Sequence, residues 1–364
     1  MTTTATTKVR KKGPRDNGAP DYKQNLHPLM VKNYGKWAYH EFVKPGVLVY
    51  VAENGDKLWV VRAGSPRTLS VDKVRKICDI ADRYAEGYLR FTSRANLEFS
   101  LAKKSNIAPL IKAVKEELGF SVGGTGHSIS NVTHTQGWLH CNLPGTDAAG
   151  PVKALMDELF EEFVHDDKLP MRVKISASCC QINCGGQADL AINLQHHHPP
   201  RIKPEGVGIC ELPKVVAICP AAAIRPRATE GQTTLEVVAE KCMYCGACHG
   251  QCPTMEIRDA QTDTLSIWLG GKTSSTRKGP SFMRLAVWGL PNNPPRWPEV
   301  SGAVKNILSA YKQTGRKFER LGEWVDRIGW KKFFELTGFP FTKYHIDTTE
   351  MARSTFNTSA QVRL

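Results

Sequence analysis

A cysteine-dense stretch that follows directly on a strand pattern limits this chain more than anything else in it. Residues 172–186 read RVKISASCCQINCGG, with Cys179, Cys180 and Cys184 spaced Cys-Cys-x3-Cys. Val173, Ile175 and Ala177 alternate with Arg172 and Lys174, the period of two that a strand with unlike faces shows. A fourth cysteine, Cys141, stands upstream in GWLHCNLPGTD. Adjacent cysteines cannot easily bridge one another, because disulfide geometry is demanding. Four thiolates suffice to hold a cubane iron–sulfur cluster. The alternative is a set of buried thiols acting as small hydrophobes. Gly185-Gly186 favours the cluster, because glycine lets backbone approach a bulky inorganic group.

A length of 364 residues suggests two or three domains at about 150 residues each. No run reaches the roughly 18 apolar residues that a membrane helix needs, so no membrane span is expected. Eleven cysteines without a secretory signal argue for a reducing compartment, where clustered cysteines hold metal rather than disulfides. The expected location is cytoplasmic. A net charge of +14 raises nucleic acid as a partner. No helix-turn-helix, RNA-recognition or finger pattern accompanies it, and the cations are spread along the chain, so no nucleic acid is expected. An anionic cofactor, an anionic substrate or an acidic partner would also use them.

Residues 1 to about 34 are polar and basic, and alone could not bury enough surface to fold. They form the greater part of an expected N-terminal arm over 1–40. Strands are expected at 47–51 and 58–62, joined by an Asn-Gly turn. Ser70 can cap a helix to about 86, with Val74, Ile77, Ile80, Ala81 and Tyr84 at helical spacing. Strands at 89–91 and 97–101 and a helix at 107–118 complete a β-β-α-β-β-α half-domain over 41–122. Within RFTSRANLEF, Arg90 and Arg94 stand close together, and guanidinium forks match carboxylate or sulfite oxygens. Ordinary surface arginine is the alternative reading for that segment alone. The glycines at 123, 124 and 126 fit neither GxxxxGK[ST] nor GxGxxG, so no nucleotide site is expected. A helix over 151–163, with Pro151 at its first position, leads to the central stretch.

Residues 206–263 read as an insert. It holds Cys219-Pro220 and then Cys242-x2-Cys245-x2-Cys248-x3-Cys252-Pro253. In bacterial ferredoxins the fourth cysteine of such a run serves the other cluster of a pair. The first run's opening cysteines are missing here. One cluster is therefore predicted, on Cys219, Cys242, Cys245 and Cys248, leaving Cys252 and Cys210 spare. Zinc is the alternative, since CxxC pairs are common in zinc ribbons. Beyond the insert a strand is expected at 265–269. A Gly-rich loop follows with Lys272, Arg277 and Lys278, then helices at 300–314 and 321–337 and a tail over 346–364.

Together these residues resemble the beta subunits of dissimilatory sulfite reductase, within the siroheme sulfite and nitrite reductases. The two cysteine sets carry the resemblance, with HTQGWLHC, TDAAGPVKALMDEL and the span from RPRATEG to EKCMYCGAC. It covers about residues 30–345. It implies an α+β fold of sulfite-reductase-type half-domains with an inserted ferredoxin-like domain, the siroheme and cluster domain being 123–205 with 264–345. It implies a siroheme bridged by Cys184 to a [4Fe–4S] cluster on Cys141, Cys179, Cys180 and Cys184, and a second [4Fe–4S] cluster in the insert. Arg90, Arg94, Arg172 and Lys174 match the cations that hold sulfite; Lys272 and Arg277 are taken as siroheme-binding. Where the family often has an arginine before the asparagine matching Asn131, this chain has Ser130, and an alpha subunit is expected to supply that cation. The implied partners are that alpha subunit, in an α2β2 heterotetramer, and a small sulfur-carrier protein with C-terminal cysteines. The implied reaction is the six-electron interconversion of sulfite and sulfide, in either direction. An iron–sulfur electron-transfer subunit without its own active siroheme is the competing class.

Overall fold

The computed structural model describes residues 22–141, 146–180, 184, 189–195, 199–203, 208–229, 231–242, 246–259, 263–272 and 283–345. Cys245 and Arg277 lie outside these, as does the tail over 346–364.

Regular structure begins earlier than the residue pattern suggested. A short helix, α1 (Pro28–Lys32), precedes strand β1 (Trp37–Lys44), within the segment expected to be an arm. Seven of the eight β1 residues are exposed, so no alternation of apolar and polar residues marked it. Backbone pairing to β2 (Val47–Ala52) holds it. With β3 (Lys57–Ala63), β4 (Leu89–Phe91) and β5 (Leu97–Leu101) it makes an antiparallel sheet in the order β1-β2-β3-β5-β4. Helices α2 (Val71–Tyr84) and α3 (Ile107–Leu118) share one core with it. Val47, Val49 and Val51, then Val61 and Ala63, then Leu97, Phe99 and Leu101 meet Ile77, Ile80, Leu110 and Val114 there. Alternate residues reach this core because successive strand side chains point to opposite faces. Each large apolar side chain so buried contributes about 1.5–3 kcal/mol.

The chain then crosses to a second unit through the Gly123-Gly124-Thr125-Gly126 turn. Gly124 has φ +71, and a Cβ there would stand 2.9 Å from the Phe163 ring. The glycines serve this close passage. Helices α4 (Ala149–Glu158) and α5 (Phe160–Val164) replace the single helix expected from Pro151. The start moves to Ala149 because the Asp147 carboxylate accepts the Ala149 and Gly150 N–H groups, at 3.0 and 2.9 Å.

Three parallel strands form the heart of this unit: β6 (Ile129–His134), β7 (Val173–Ser178) and β8 (Leu190–Gln195). The insert follows β8. Just before it β9 (Arg201–Ile202) pairs with its β12 (Met255–Glu256), and within it β10 (Ile224–Thr229) pairs with β11 (Gln232–Val237). With α6 (Leu212–Ala217) and α7 (Ala247–Gln251) these strands share a small core of Val215, Ile224, Leu235, Met255 and Ile257. The chain returns through β13 (Thr264–Leu269) and β14 (Arg284–Pro291), giving a sheet in the order β14-β13-β8-β7-β6.

Helices α8 (Pro298–Thr314), α9 (Leu321–Ile328) and α10 (Trp330–Thr337) join α4 in burying one face of that sheet. The helix expected over 321–337 is two, divided at Gly329, whose φ of +80° breaks the helical path. Tyr311, Trp324 and Phe333 are fully buried in this core. No helix among the described residues is long and apolar enough to cross a membrane.

Candidate iron–sulfur and anion site

Parallel strands release their chains at one edge, and the cysteines follow from that. β6 leads through Thr135 and a tight turn at Gly137–Leu139 to Cys141, while β7 runs straight into Cys179-Cys180. Thr135 ties the two ends together. Its N–H donates to the Ala177 carbonyl at 3.1 Å, and its Oγ1 accepts from the Cys179 N–H at 3.0 Å. Cys141, Cys179 and Cys180 gather around Ala148 in one small cluster. The crevice beyond the carboxyl ends of parallel strands is where open α/β sheets bind ligands. A hydrogen bond from Cys180 does most to hold the Cys179 thiol down at about 5. Burial opposes it, and Thr135, the Gly137 backbone and Cys141 add to it. The thiolate is the metal-binding form.

Cys184 stands apart from these three. It is exposed, and lines a cavity of about 390 Å³ together with Arg67, Phe91, Arg94 and Thr133. The two arginines of RFTSRAN part company here. The Arg94 Nη2 donates to the Ile175 carbonyl at 2.5 Å, and the Asn131 Nδ2 donates to the Arg94 carbonyl at 2.9 Å. Arg94 thus reaches from the β4–β5 turn onto β7 and faces the cavity. Arg90 does not line it. Its Nε donates to Glu98 Oε1 at 2.6 Å, and Glu98, at 1% exposure, also takes Arg62 at 2.5 Å. Glu98 is the buried partner of this pair, while Arg90 reaches it from a half-exposed position. Arg90 is therefore engaged as a counter-ion.

Helices cover one face of the second sheet, and the opposite face is polar. In-register pairing sets Thr133 beside Ser176, while Ser176 and Ser178 share the face of Arg172 and Lys174. The register through β8 brings Ser266 and Trp268 to the same face. Thr133 Oγ1, Ser176 Oγ, Ser266 Oγ and the Trp268 indole N–H are buried without a hydrogen-bond partner among the described residues. The Nε atoms of Arg172 and Arg320 share that condition. Burying a polar group unpaired costs about 1–3 kcal/mol.

Asp189, at the foot of β8, is the carboxylate these cations share. It is 3% exposed, and its Oδ1 accepts from Arg320 at 2.5 Å. Burial lowers the pKa of Arg94, Arg172 and Lys174. Arg172 adds to this for Arg94; Arg320 and Arg62 add for Arg172; Arg320, Arg172 and Arg94 add for Lys174. Asp189 opposes the shift at all three. Arginine stays charged regardless, so Lys174 is the member of the group that can titrate. Lys272 is ion-paired with Glu323 and could bind a cofactor carboxylate only by exchanging that partner. His134 hydrogen-bonds the Thr135 carbonyl at 2.7 Å, a structural role.

In the insert, Cys219, Cys242 and Cys248 line a second, small cavity. Cys210 and Cys252 do not line it; they face each other, with Cα atoms 5.5 Å apart. Thr254 Oγ1 is within hydrogen-bond reach of both sulfurs, at 3.4 and 2.8 Å.

Sequence reasoning did not single out Asp189, Arg320, Arg67 or Thr133 as site residues. Asp189 and Arg320 are 131 residues apart, and nothing local distinguishes either. The strand alternation from Thr133 onward was the one signal available, and a bulge between Ile129 and Val132 disturbs its start.

Two folded units joined at a polar sheet face, with thiols at the strand ends, define the class of a nitrite and sulfite reductase chain. A family model for the nitrite/sulfite reductase ferredoxin-like half domain matches residues 50–117, and one for the nitrite and sulphite reductase 4Fe-4S domain matches residues 125–343. The dissimilatory-type sulfite reductase beta subunit of Archaeoglobus fulgidus is 48% identical over 360 residues, covering 96% of this chain and 98% of that one. The beta subunit of Nitratidesulfovibrio vulgaris is 44% identical over 349 residues, covering 91% and 90%. The chain belongs to the nitrite and sulfite reductase family and, within it, to the dissimilatory-type sulfite reductase beta subunits, which makes it an oxidoreductase chain. A dissimilatory-type alpha subunit from Allochromatium vinosum is 22% identical over 279 residues, covering 73% of this chain and 65% of that one. The crystal structure of dissimilatory sulfite reductase I shares the fold, with a TM-score of 0.75 at 19% identity over 86% of this chain and 79% of that one.

Proposed function

We propose that this chain, assembled with an alpha subunit, interconverts sulfite and sulfide in a six-electron reaction at a siroheme coupled to a [4Fe–4S] cluster. The observation that carries this reading is Cys184 standing on the wall of one cavity with Arg94, while Cys141, Cys179 and Cys180 gather at the adjoining strand ends. The residues present suit the group. Arg172 and Arg320 offer buried, unpartnered N–H donors to carboxylates, and Thr133, Ser176 and Ser266 offer hydroxyls. Cys141, Cys179, Cys180 and Cys184 would hold the cluster, with Cys184 shared with the siroheme iron. When bound, the siroheme and its cluster would relay electrons from an external donor to sulfite at the siroheme iron.

The chain's own groups do the rest. Arg94 and Arg172 hold the anion and draw charge from its oxygens, the kind of fixed electrostatic stabilisation that often dominates catalysis. Lys174 Nζ carries a proton that can pass to a departing oxygen; its lowered pKa makes it a better acid than an ordinary lysine. Arg90 serves at one remove, by holding Glu98. The insert would hold a second [4Fe–4S] cluster on Cys219, Cys242, Cys245 and Cys248 and pass electrons inward. An α2β2 assembly is supported by the likeness to alpha subunits, whose shared sequence implies a shared fold. A small sulfur-carrier protein and a cytoplasmic setting complete the proposal, as does the division into 41–122, 123–205 with 264–345, and 206–263.

Iron, acid-labile sulfide and tetrapyrrole content, measured together on the purified complex, test it. A siroheme absorption band towards the red is the expected result; clusters without it would leave an electron-transfer subunit. Within the insert, Cys219→Ser is expected to remove about four irons per beta chain while the siroheme band persists. Cys252→Ser is expected to keep all the iron, because Cys252 does not line the cavity of the other three cysteines. Iron loss in the Cys252 variant would place that residue among the ligands instead.

A further inference from the structure

We propose that Asp189 and Arg320 are a positioning pair behind the anion site: Asp189 locks the strand that carries Arg172 and Lys174, holds Arg320 beside them, and keeps Lys174 charged among three arginines. The inference rests on the reading of this pocket as an anion site.

Every polar group of Asp189 is used. Its N–H donates to the Lys174 carbonyl and its Oδ2 accepts the Lys174 N–H, both at 2.8 Å. Its carbonyl accepts the Gly270 N–H at 3.1 Å, and its Oδ1 takes Arg320. β7 is thereby clamped at Lys174, from the side chain and the backbone at once. Arg320 is fixed from behind as well: Glu323 Oε2 accepts its N–H at 3.0 Å as α9 begins, and the same carboxylate pairs with Lys272. Arg320 is 18% exposed at its side chain and cannot swing freely into solvent.

Among the described residues, the charges that act on Lys174 come from four places. Arg172 stands on its own strand, Arg94 on the β4–β5 turn, Arg320 at the start of α9 and Asp189 at the foot of β8. Among the described residues, four cations stand here against one carboxylate. Without Asp189 the three arginines would push the lysine towards its neutral form, because like charges disfavour ionisation. A neutral Lys174 could neither attract sulfite nor give a proton.

The sign of the effect separates this role from simple structural support. Burial and cationic neighbours already lower the Lys174 pKa, so loosening the pocket would raise it towards that of an ordinary lysine. Removing only the Asp189 charge would lower it further. The test is graded-pH labelling with a small amine-reactive reagent on the intact alpha–beta complex, with the Lys174 peptide followed by mass spectrometry. Asp189→Asn, which keeps an oxygen for the Lys174 N–H, is expected to move the labelling midpoint down by about one pH unit or more. An unchanged or raised midpoint overturns the proposal.

Should Asp189→Asn fail to assemble, the double variant with Arg320→Gln removes one charge of each sign. Its midpoint is expected to stay close to that of the parent; a rise to the ordinary lysine range overturns the proposal. Absence of a siroheme band in the parent would defeat the proposed function and leave the Lys174 midpoints readable on the same sample.

Discussion

Replacing Cys184 by serine is expected to abolish the siroheme absorption band and, with it, all sulfite turnover. A serine hydroxyl is a hard oxygen donor where iron–sulfur chemistry uses soft thiolate. Cys184 is exposed on the cavity wall and packs against none of the core, so the substitution creates no void and the chain should fold as before. Circular dichroism should therefore match the parent, while iron falls by as much as about four per beta chain if the cubane leaves too. The insert cluster should survive. Retention of the full siroheme band in this variant would remove Cys184 from the bridging position.

Arg94→Gln is expected to lower sulfite turnover by about 10²–10³-fold, the loss typical when one preorganised donor to developing negative charge is removed. It should also destabilise the fold by about 1–3 kcal/mol, because the guanidinium bonds the Ile175 carbonyl across the junction of the two units. Cofactor content separates the two effects. Turnover per siroheme should fall far more than siroheme per chain. Arg90→Gln is the informative contrast. It leaves Glu98 with Arg62 alone, so its cost should show as a lower melting temperature with turnover per siroheme changed only a few-fold. Equal turnover losses in the two variants would mean that both arginines reach the anion, against the geometry of Glu98.

The half-domain was readable because its signals are local. Strands 89–91 and 97–101 and the helix at 107–118 match β4, β5 and α3, since alternation and helical spacing report burial one residue at a time. β1 was missed for the same reason, as a strand exposed on both faces has no burial to report. β8 follows the cysteines too closely for its pattern to stand clear, and β10 and β11 belong to an insert whose core is small. The run over 321–337 read as one helix because α9 and α10 bury similar apolar residues in one core, and only the positive φ of Gly329 divides them.

Among the site residues, spacing set the two cysteine groups apart, because a cluster with fixed ligand geometry demands fixed intervals along a turn or strand end. The sequence by itself therefore determined that this chain carries two thiolate sets, and that one lies in an insert. It did not determine which arginine faces the cavity, or that Asp189 draws in Arg320 from far along the chain. Those outcomes depend on which strand edges and helix ends the folded core brings together. Neutralising a buried charge requires only a partner within a few ångströms, and such proximity leaves no period in the order of residues.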